Sequence, residues 1–147
     1  CCEALEHMSD QDPPLFHRDV KPLNIIINPD KGAVLIDLGL AVGIESGVAK
    51  RDTTGRHSAG WAPPEREMSV SGPFTDVYSL GQIVWHMLTN KTPGIYSEEE
   101  RIEEITSRGY PVWLAELVNE STNPLHANRI QSVSEFRIRL ENGGELA

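Results

Sequence analysis

Two short apolar runs, Ile25-Ile26-Ile27 and Ala33 to Ile36, enclose the segment Asn28-Pro29-Asp30-Lys31-Gly32. Asn and Asp side chains bond their own backbone in turns, Pro presets φ, and Gly reaches positive φ without strain. The pattern predicts a β-hairpin. This hairpin constrains the chain because of what flanks it. His17-Arg18-Asp19-Val20-Lys21-Pro22-Leu23-Asn24 leads into the first run, and Asp37-Leu38-Gly39 leaves the second. Asn24 and Asp37, thirteen positions apart, therefore stand at the two ends of one hairpin.

The residue types at those ends carry a chemistry. Asn24 and Asp37 are hard oxygen ligands, and Mg2+ prefers one or two such ligands together with phosphate oxygens. Asp19 is a candidate to receive or orient a hydroxyl proton. Lys21, on the same loop, is placed to neutralise charge on a transferring phosphoryl group. Capping and turn formation are the ordinary uses of Asp and Asn, and the joint spacing argues against that reading here.

The rest of the chain frames this segment with helices. Residues 1–8 (CCEALEHM) read as the end of an amphipathic helix with Ala4, Leu5 and Met8 on one side. Ser9 to Pro14 is a breaker cluster. Residues 40–60 lack periodicity and carry Gly43, Gly47, Gly55 and Gly60, which predicts a long loop. Loops of that length are usually functional or disordered. Residues 76–90 are apolar on nearly every face, as a central buried helix requires. Ser97-Glu98-Glu99-Glu100 is a capping box opening a polar helix that ends near Ser107. Trp113, Leu114, Leu117 and Val118 have helical spacing. Ser132 with Glu135 is a second capping box, and it assigns Val133, Phe136 and Leu140 to a helix rather than a strand.

Composition removes several classes. A chain of 147 residues suits one domain. With 13 Lys+Arg against 22 Asp+Glu its net charge is −9, which argues against a nucleic-acid binder. No apolar run approaches the roughly 18 residues of a membrane-spanning helix, and no signal peptide opens the chain. Cys1 and Cys2, the only cysteines, are adjacent, so neither a disulfide framework nor metal-ligand spacing is present. That suits a reducing, cytoplasmic location, with any membrane anchor elsewhere in a longer parent. His7, His57, His86 and His126 share no metal-ligand spacing. Trp61, Trp85 and Trp113 are expected in packing, and Glu98 to Glu104 on a solvated helix face.

Six fixed residue types in His-Arg-Asp-x-Lys-Pro-x-Asn, followed by Asp-Leu-Gly, resemble the catalytic loop and metal-binding motif of protein kinases. At roughly one in twenty each, a chance match at a given position is below about one in ten million. Further residues follow in family order. Pro63-Pro64-Glu65 looks like the Ala-Pro-Glu motif with Pro in place of Ala. Asp76 in DVYSLG looks like the helix-F aspartate, and Arg129 like the late arginine that pairs with the motif glutamate. The resemblance runs from residue 1 to about residue 142 and is most similar to bacterial eukaryotic-type (Hanks-type) Ser/Thr kinases.

This resemblance implies a kinase-like C-terminal lobe over residues 1–142, mainly α with a small β-hairpin (an α+β fold), and a tail at 143–147. Within it fall a catalytic loop (17–24), a metal motif (37–39), an activation segment (37–65) and a helical subdomain (66–142). The implied reaction moves the γ-phosphoryl of ATP to a Ser or Thr hydroxyl of a protein, with Mg2+ or Mn2+. Asp19 would orient the hydroxyl, Lys21 would contact the phosphate, and Asn24 and Asp37 would hold metal. Ile26 would floor the adenine. Lys21, Asn24 and Asp37 would join it at the nucleotide. Ser58 falls where the family places a Thr bridging Asp19 and Lys21. Arg18 would pair with a phosphorylated loop residue, for which Thr53 and Thr54 are candidates. His17, Gly39, Glu65, Asp76 and Arg129 would be structural.

Two departures matter. Leu38 replaces the usual Phe, an apolar exchange. The 147 residues also contain no glycine-rich phosphate loop, no β3 Lys and no helix-C Glu. The Cys1 start reads as lying inside helix E, so a missing N-terminal lobe is an expected partner. The face meeting it is expected to be more apolar than the net charge suggests, and the 147 residues alone are expected to be inactive. One rival is a small-molecule kinase of the aminoglycoside or choline type, against which Lys21-Pro22 and the Pro-Pro-Glu segment argue. The other is a non-catalytic lobe acting as a binding or scaffold module.

Overall fold

The computed structural model describes residues 1–38, 60–65 and 70–145, and the backbone of residues 42–43. In chain order it comprises α1 (Cys2–Ser9), β1 (Leu15–Phe16), a 3-10 turn (Pro22–Asn24), β2 (Ile25–Asn28) and β3 (Gly32–Leu35). There follow β4 (Val42–Gly43), α2 (Pro73–Thr89), α3 (Glu98–Ser107), α4 (Val112–Ser121), a second 3-10 turn (His126–Asn128) and α5 (Val133–Glu141).

The hairpin forms as its turn residues predict. β2 and β3 pair antiparallel with Ile25 opposite Leu35 and Asn28 opposite Gly32. Asn28 Oδ1 accepts from the amides of Asp30 and Lys31, each at 2.9 Å, and Gly32 sits at φ +71°. A second short antiparallel pair, β1 with β4, sets Leu15 opposite Gly43 and Phe16 opposite Val42. It corrects the expectation that residues 40–60 form one unbroken loop. Two residues give too little alternation for a strand to be read from sequence.

α2 begins before Asp76 because Pro73 fits the first helical turn, where its missing N–H costs nothing. The Gly72 N–H donates to Thr75 Oγ1 at 3.2 Å. Asn90 ends the helix at φ +56°, a left-handed conformation that Asn tolerates. The helix is central, packing on β1, α3, α4 and α5. Its crossing with α4 is close at Gly81, where a Cβ would stand 2.6 Å from Ser121 Cβ. Met87 alone among its large apolar residues is strongly exposed, so burial is nearly but not fully circumferential.

Two apolar clusters fill the interior. The larger joins Leu5, Val20, Val77, Leu80, Leu117, Ile130, Val133 and Phe136. The smaller joins Trp85, Ile105, Ala115 and Val118. α1 contributes Leu5, with Cys2 and Met8 packed against the cluster, whereas Ala4 is exposed and leaves the apolar face expected of it. The capping box at Ser97 forms in full, whereas at Ser132 the side-chain half of the expected box caps the helix. Ser97 Oγ accepts from the Glu100 amide at 3.2 Å while Glu100 accepts from the Ser97 amide at 2.7 Å. Ser132 Oγ accepts from the Glu135 amide at 3.1 Å. No helix among the described residues is long and apolar enough to cross a membrane.

Candidate active site

The segment 17–24 is held by contacts beneath it. Val20 is buried in the larger cluster, so its neighbours Asp19 and Lys21 are carried on a loop fixed to the core. From α2, the Asp76 carboxylate accepts the His17 amide at 2.9 Å and the Arg18 amide at 2.8 Å. Arg18 has φ +66°, a left-handed backbone that costs a non-glycine residue about 1–3 kcal/mol and persists only where neighbours dictate it. The two amides on Asp76 supply that constraint. His17, fully buried, accepts the Asp19 amide at Nδ1 (3.3 Å) and faces the Ile36 carbonyl with Nε2 (3.2 Å). One tautomer of the neutral ring satisfies both contacts, with the proton on Nε2.

The functional side chains meet above this platform. Lys21 Nζ donates to Asp19 Oδ2 at 2.7 Å. Asn24 Nδ2 donates to the Asp19 carbonyl at 2.8 Å and to Asp19 Oδ2 at 3.1 Å. Both bonds use the amide nitrogen and leave the Asn24 side-chain oxygen out of these two contacts. The Asn24 carbonyl accepts from the Ile36 amide at 2.8 Å, which continues the hairpin ladder one pair past Ile25 and Leu35. Asp37 is the next residue, exposed, at φ +63°. The hairpin thus brings Asn24 and Asp37 together from thirteen positions apart. Left-handed non-glycine residues flank the cluster at both Arg18 and Asp37.

An amide oxygen and a carboxylate are a donor set suited to Mg2+, which keeps waters and phosphate oxygens rather than an all-protein cage. No group of three or more His, Cys, Asp or Glu side chains able to hold a metal ion occurs among the described residues. Ile26 lies on β2 opposite Val34, on the hairpin face turned away from Leu35, which packs on the core. Gly39, Thr53, Thr54 and Ser58 lie outside the described residues.

Glu65 and Arg129 form a buried, bidentate ion pair, Nη1 to Oε1 at 2.6 Å and Nη2 to Oε2 at 3.0 Å. Arg129 further donates to the carbonyls of Phe74 (2.9 Å) and Asn123 (2.8 Å from Nη2) and covers the Tyr78 ring at 4.9 Å. Ser79 Oγ donates to the Trp61 carbonyl at 2.9 Å, a second tie between α2 and residues 60–65 that sequence reasoning missed. A serine inside an apolar helix was the available signal, since such a hydroxyl needs a partner when buried.

Burial pushes the Asp76 carboxyl above the ordinary carboxylate range, against the lowering effect of the Arg18 and His17 amides. A carboxyl raised on folding contributes stability below its ordinary value and loses it as pH rises through the folded value. Asp76→Asn removes that titration and replaces one acceptor oxygen by an NH2 facing an amide N–H. Urea unfolding at neutral pH should show a loss of about 1–3 kcal/mol for one buried, unpaired donor. The wild-type advantage should be largest in acid and fall as pH rises. An unchanged midpoint at every pH would remove Asp76 from its clamping role.

A mainly helical fold with a small antiparallel hairpin, entered through a loop that bears Asp19, Lys21 and Asn24, is compatible with a kinase-like fold. The chain belongs to the protein kinase domain family, whose sequence model matches residues 1–138. It is similar to the human receptor-interacting serine/threonine-protein kinase 3, 31% identical over 118 residues, covering 76% of this chain and 22% of that protein. It is similar to LysM domain receptor-like kinase 10 of Oryza sativa subsp. japonica, 32% identical over 127 residues, 84% of this chain and 20% of that protein. Serine/threonine-protein kinase F of the cyanobacterium Synechocystis is 30% identical over 136 residues, 88% of this chain and 27% of that protein. The chain therefore spans less than a third of the length of each of these curated relatives.

Proposed function

We propose that the chain is the C-terminal lobe of a protein Ser/Thr kinase that transfers the γ-phosphoryl of ATP to a Ser or Thr hydroxyl of a protein. The observation that carries this reading is the Asp19–Lys21–Asn24 cluster joined to Asp37 across the hairpin end. Phosphoryl transfer has a loose transition state, so positioning and charge stabilisation matter more than strong base chemistry. Asp19 orients the acceptor hydroxyl and takes its proton. Lys21, already beside Asp19, neutralises negative charge on the transferring group. Asn24 and Asp37 would hold Mg2+, which would supply charge neutralisation at the phosphate oxygens. The lysine, two residues after the aspartate, favours the Ser/Thr class, as does the similarity to serine/threonine-protein kinases.

The lobe reading is supported by the hairpin surface. Leu23 is 84% exposed, Ile27 75% and Leu38 60%, and Ile26 is half exposed beside them in sequence. Ile26 and Ile27 point to opposite faces of the hairpin, so it is the Ile26 face, turned away from the core, that suits cover by an N-terminal lobe. In the intact parent, ATP with Mg2+ should label Ser or Thr of a protein acceptor and not an aminoglycoside. Labelling of the aminoglycoside alone would favour the small-molecule rival, and no labelling of either would favour a scaffold. The purified 147 residues should bind ATP very weakly and turn over little. Robust Mg2+-dependent phosphorylation by them alone would overturn the lobe assignment.

A further inference from the structure

Away from the loop and hairpin, α2, α3, α4 and the segments just before α3 and just after α4 line a cavity of about 180 Å3 whose walls include Tyr78, Tyr96, Glu98, Arg101, Asn119 and Thr122. Arg101, on α3, is only 7% exposed. Its Nη1 donates to Thr122 Oγ1, which itself donates to the Val118 carbonyl at 2.7 Å. Its guanidinium lies 5.9 Å from the Trp85 ring centroid. Among the described residues no carboxylate forms an ion pair with it, in contrast to the buried Arg129. Its Nε is buried without a hydrogen-bond partner. The Asn119 side-chain oxygen is likewise buried and unpartnered, while its Nδ2 reaches the Glu98 carbonyl at 3.3 Å.

A buried guanidinium without a paired counter-ion is expensive, because the attraction of the nearby Glu98 charge only partly offsets its desolvation. Burial accordingly pushes Arg101 below the ordinary arginine value. The planar fork of Arg matches a carboxylate, with two parallel N–H donors. Glu98 in the same wall and the net charge of −9 both repel a second negative charge, so a monoanion is favoured over a dianionic phosphate. The Asn119 oxygen asks in addition for an N–H donor. An acidic residue in a peptide offers both groups, a carboxylate and an amide N–H.

We propose that this cavity captures an acidic side chain of a protein segment, with its carboxylate on Arg101 and a neighbouring peptide N–H on Asn119. The site does not depend on the phosphotransfer reading, and binding can be measured without turnover.

The test titrates the full-length protein with the N-acetyl, N-methylamide derivatives of Asp and Glu. The matching Asn derivative and inorganic phosphate serve as comparisons. The Nε–H resonance of Arg101 and the indole N–H of Trp85 report occupancy. Saturable shifts are expected with the acidic derivatives and not with the Asn derivative. Arg101→Lys should weaken binding by about tenfold or more, since it loses the fork while keeping the charge. Glu98→Gln should tighten it, and Asn119→Asp should weaken it. These two variants decide the matter if Arg101→Lys fails to fold. No saturable shift, an equal response to the neutral derivative, or affinities unchanged by the variants would overturn the site. Tighter binding of phosphate than of either acidic derivative would overturn the carboxylate assignment.

Discussion

Arg129→Ala is expected to lower the melting temperature of the protein by about 10 °C, through a loss of about 3–5 kcal/mol. The size follows from what the guanidinium holds. Its three nitrogens reach Glu65, the Phe74 carbonyl and the Asn123 carbonyl, and its plane covers Tyr78. Truncation leaves the Glu65 carboxylate buried without its partner, and that uncompensated charge dominates the loss. Glu65→Gln should cost less, because a neutral amide is cheaper to bury than a lone carboxylate. In the double variant Glu65→Gln/Arg129→Ala much of the Arg129 penalty should disappear, giving a coupling of a few kcal/mol. Differential scanning calorimetry on the four proteins measures this directly. A melt of Arg129→Ala indistinguishable from wild type would show that the pair does not tie residues 60–65 to the helices.

The same pair shows how far the sequence reaches. Glu65 and Arg129 are separated by 64 positions, and no periodicity connects them. Their pairing was legible only through resemblance to a family motif. Local signals did carry the hairpin, the capped starts of α3 and α5 and the buried course of α2, because turn chemistry, capping and periodicity act within a few residues. The β1–β4 pairing was not legible, since two-residue strands carry no pattern and their contact is non-local. Ala4 shows a different limit. It has the right spacing for the apolar side of α1, but the side packed on α5 and β1 is set by Leu5, Cys2 and Met8. For the site, the spacing from Asn24 to Asp37 was legible because a hairpin has a fixed register. The left-handed backbone at Arg18 and Asp37 was not, since neither residue type demands it. Arg101 was hidden inside a run of acidic residues that reads as a solvated face, and only the packing of α3 on α4 reveals its burial.

Asp19→Asn in the intact parent is expected to lower kcat by about 10²–10⁴-fold while leaving the melt close to wild type. The carboxylate has two jobs in the proposed reaction, orienting the acceptor hydroxyl and accepting its proton, and an amide does neither well. Its fixed position comes from Lys21 Nζ at 2.7 Å and Asn24 Nδ2 at 3.1 Å, both on Oδ2. Those donors place the reacting group, so their loss should act through Asp19. Asn24→Ala should therefore also depress kcat, and in addition raise the Mg2+ concentration needed for half-maximal rate. Asp19→Asn should not shift that Mg2+ requirement, because Asp19 is not assigned to the metal. The loop itself should survive the exchange. Val20 stays anchored in the core, and the backbone amides of His17 and Arg18 stay on Asp76. Initial-rate measurements over a Mg2+ series, together with a thermal melt, separate a catalytic, a metal-binding and a structural role. An unaffected kcat would remove Asp19 from its role, and a collapsed melt would make the residue structural rather than catalytic.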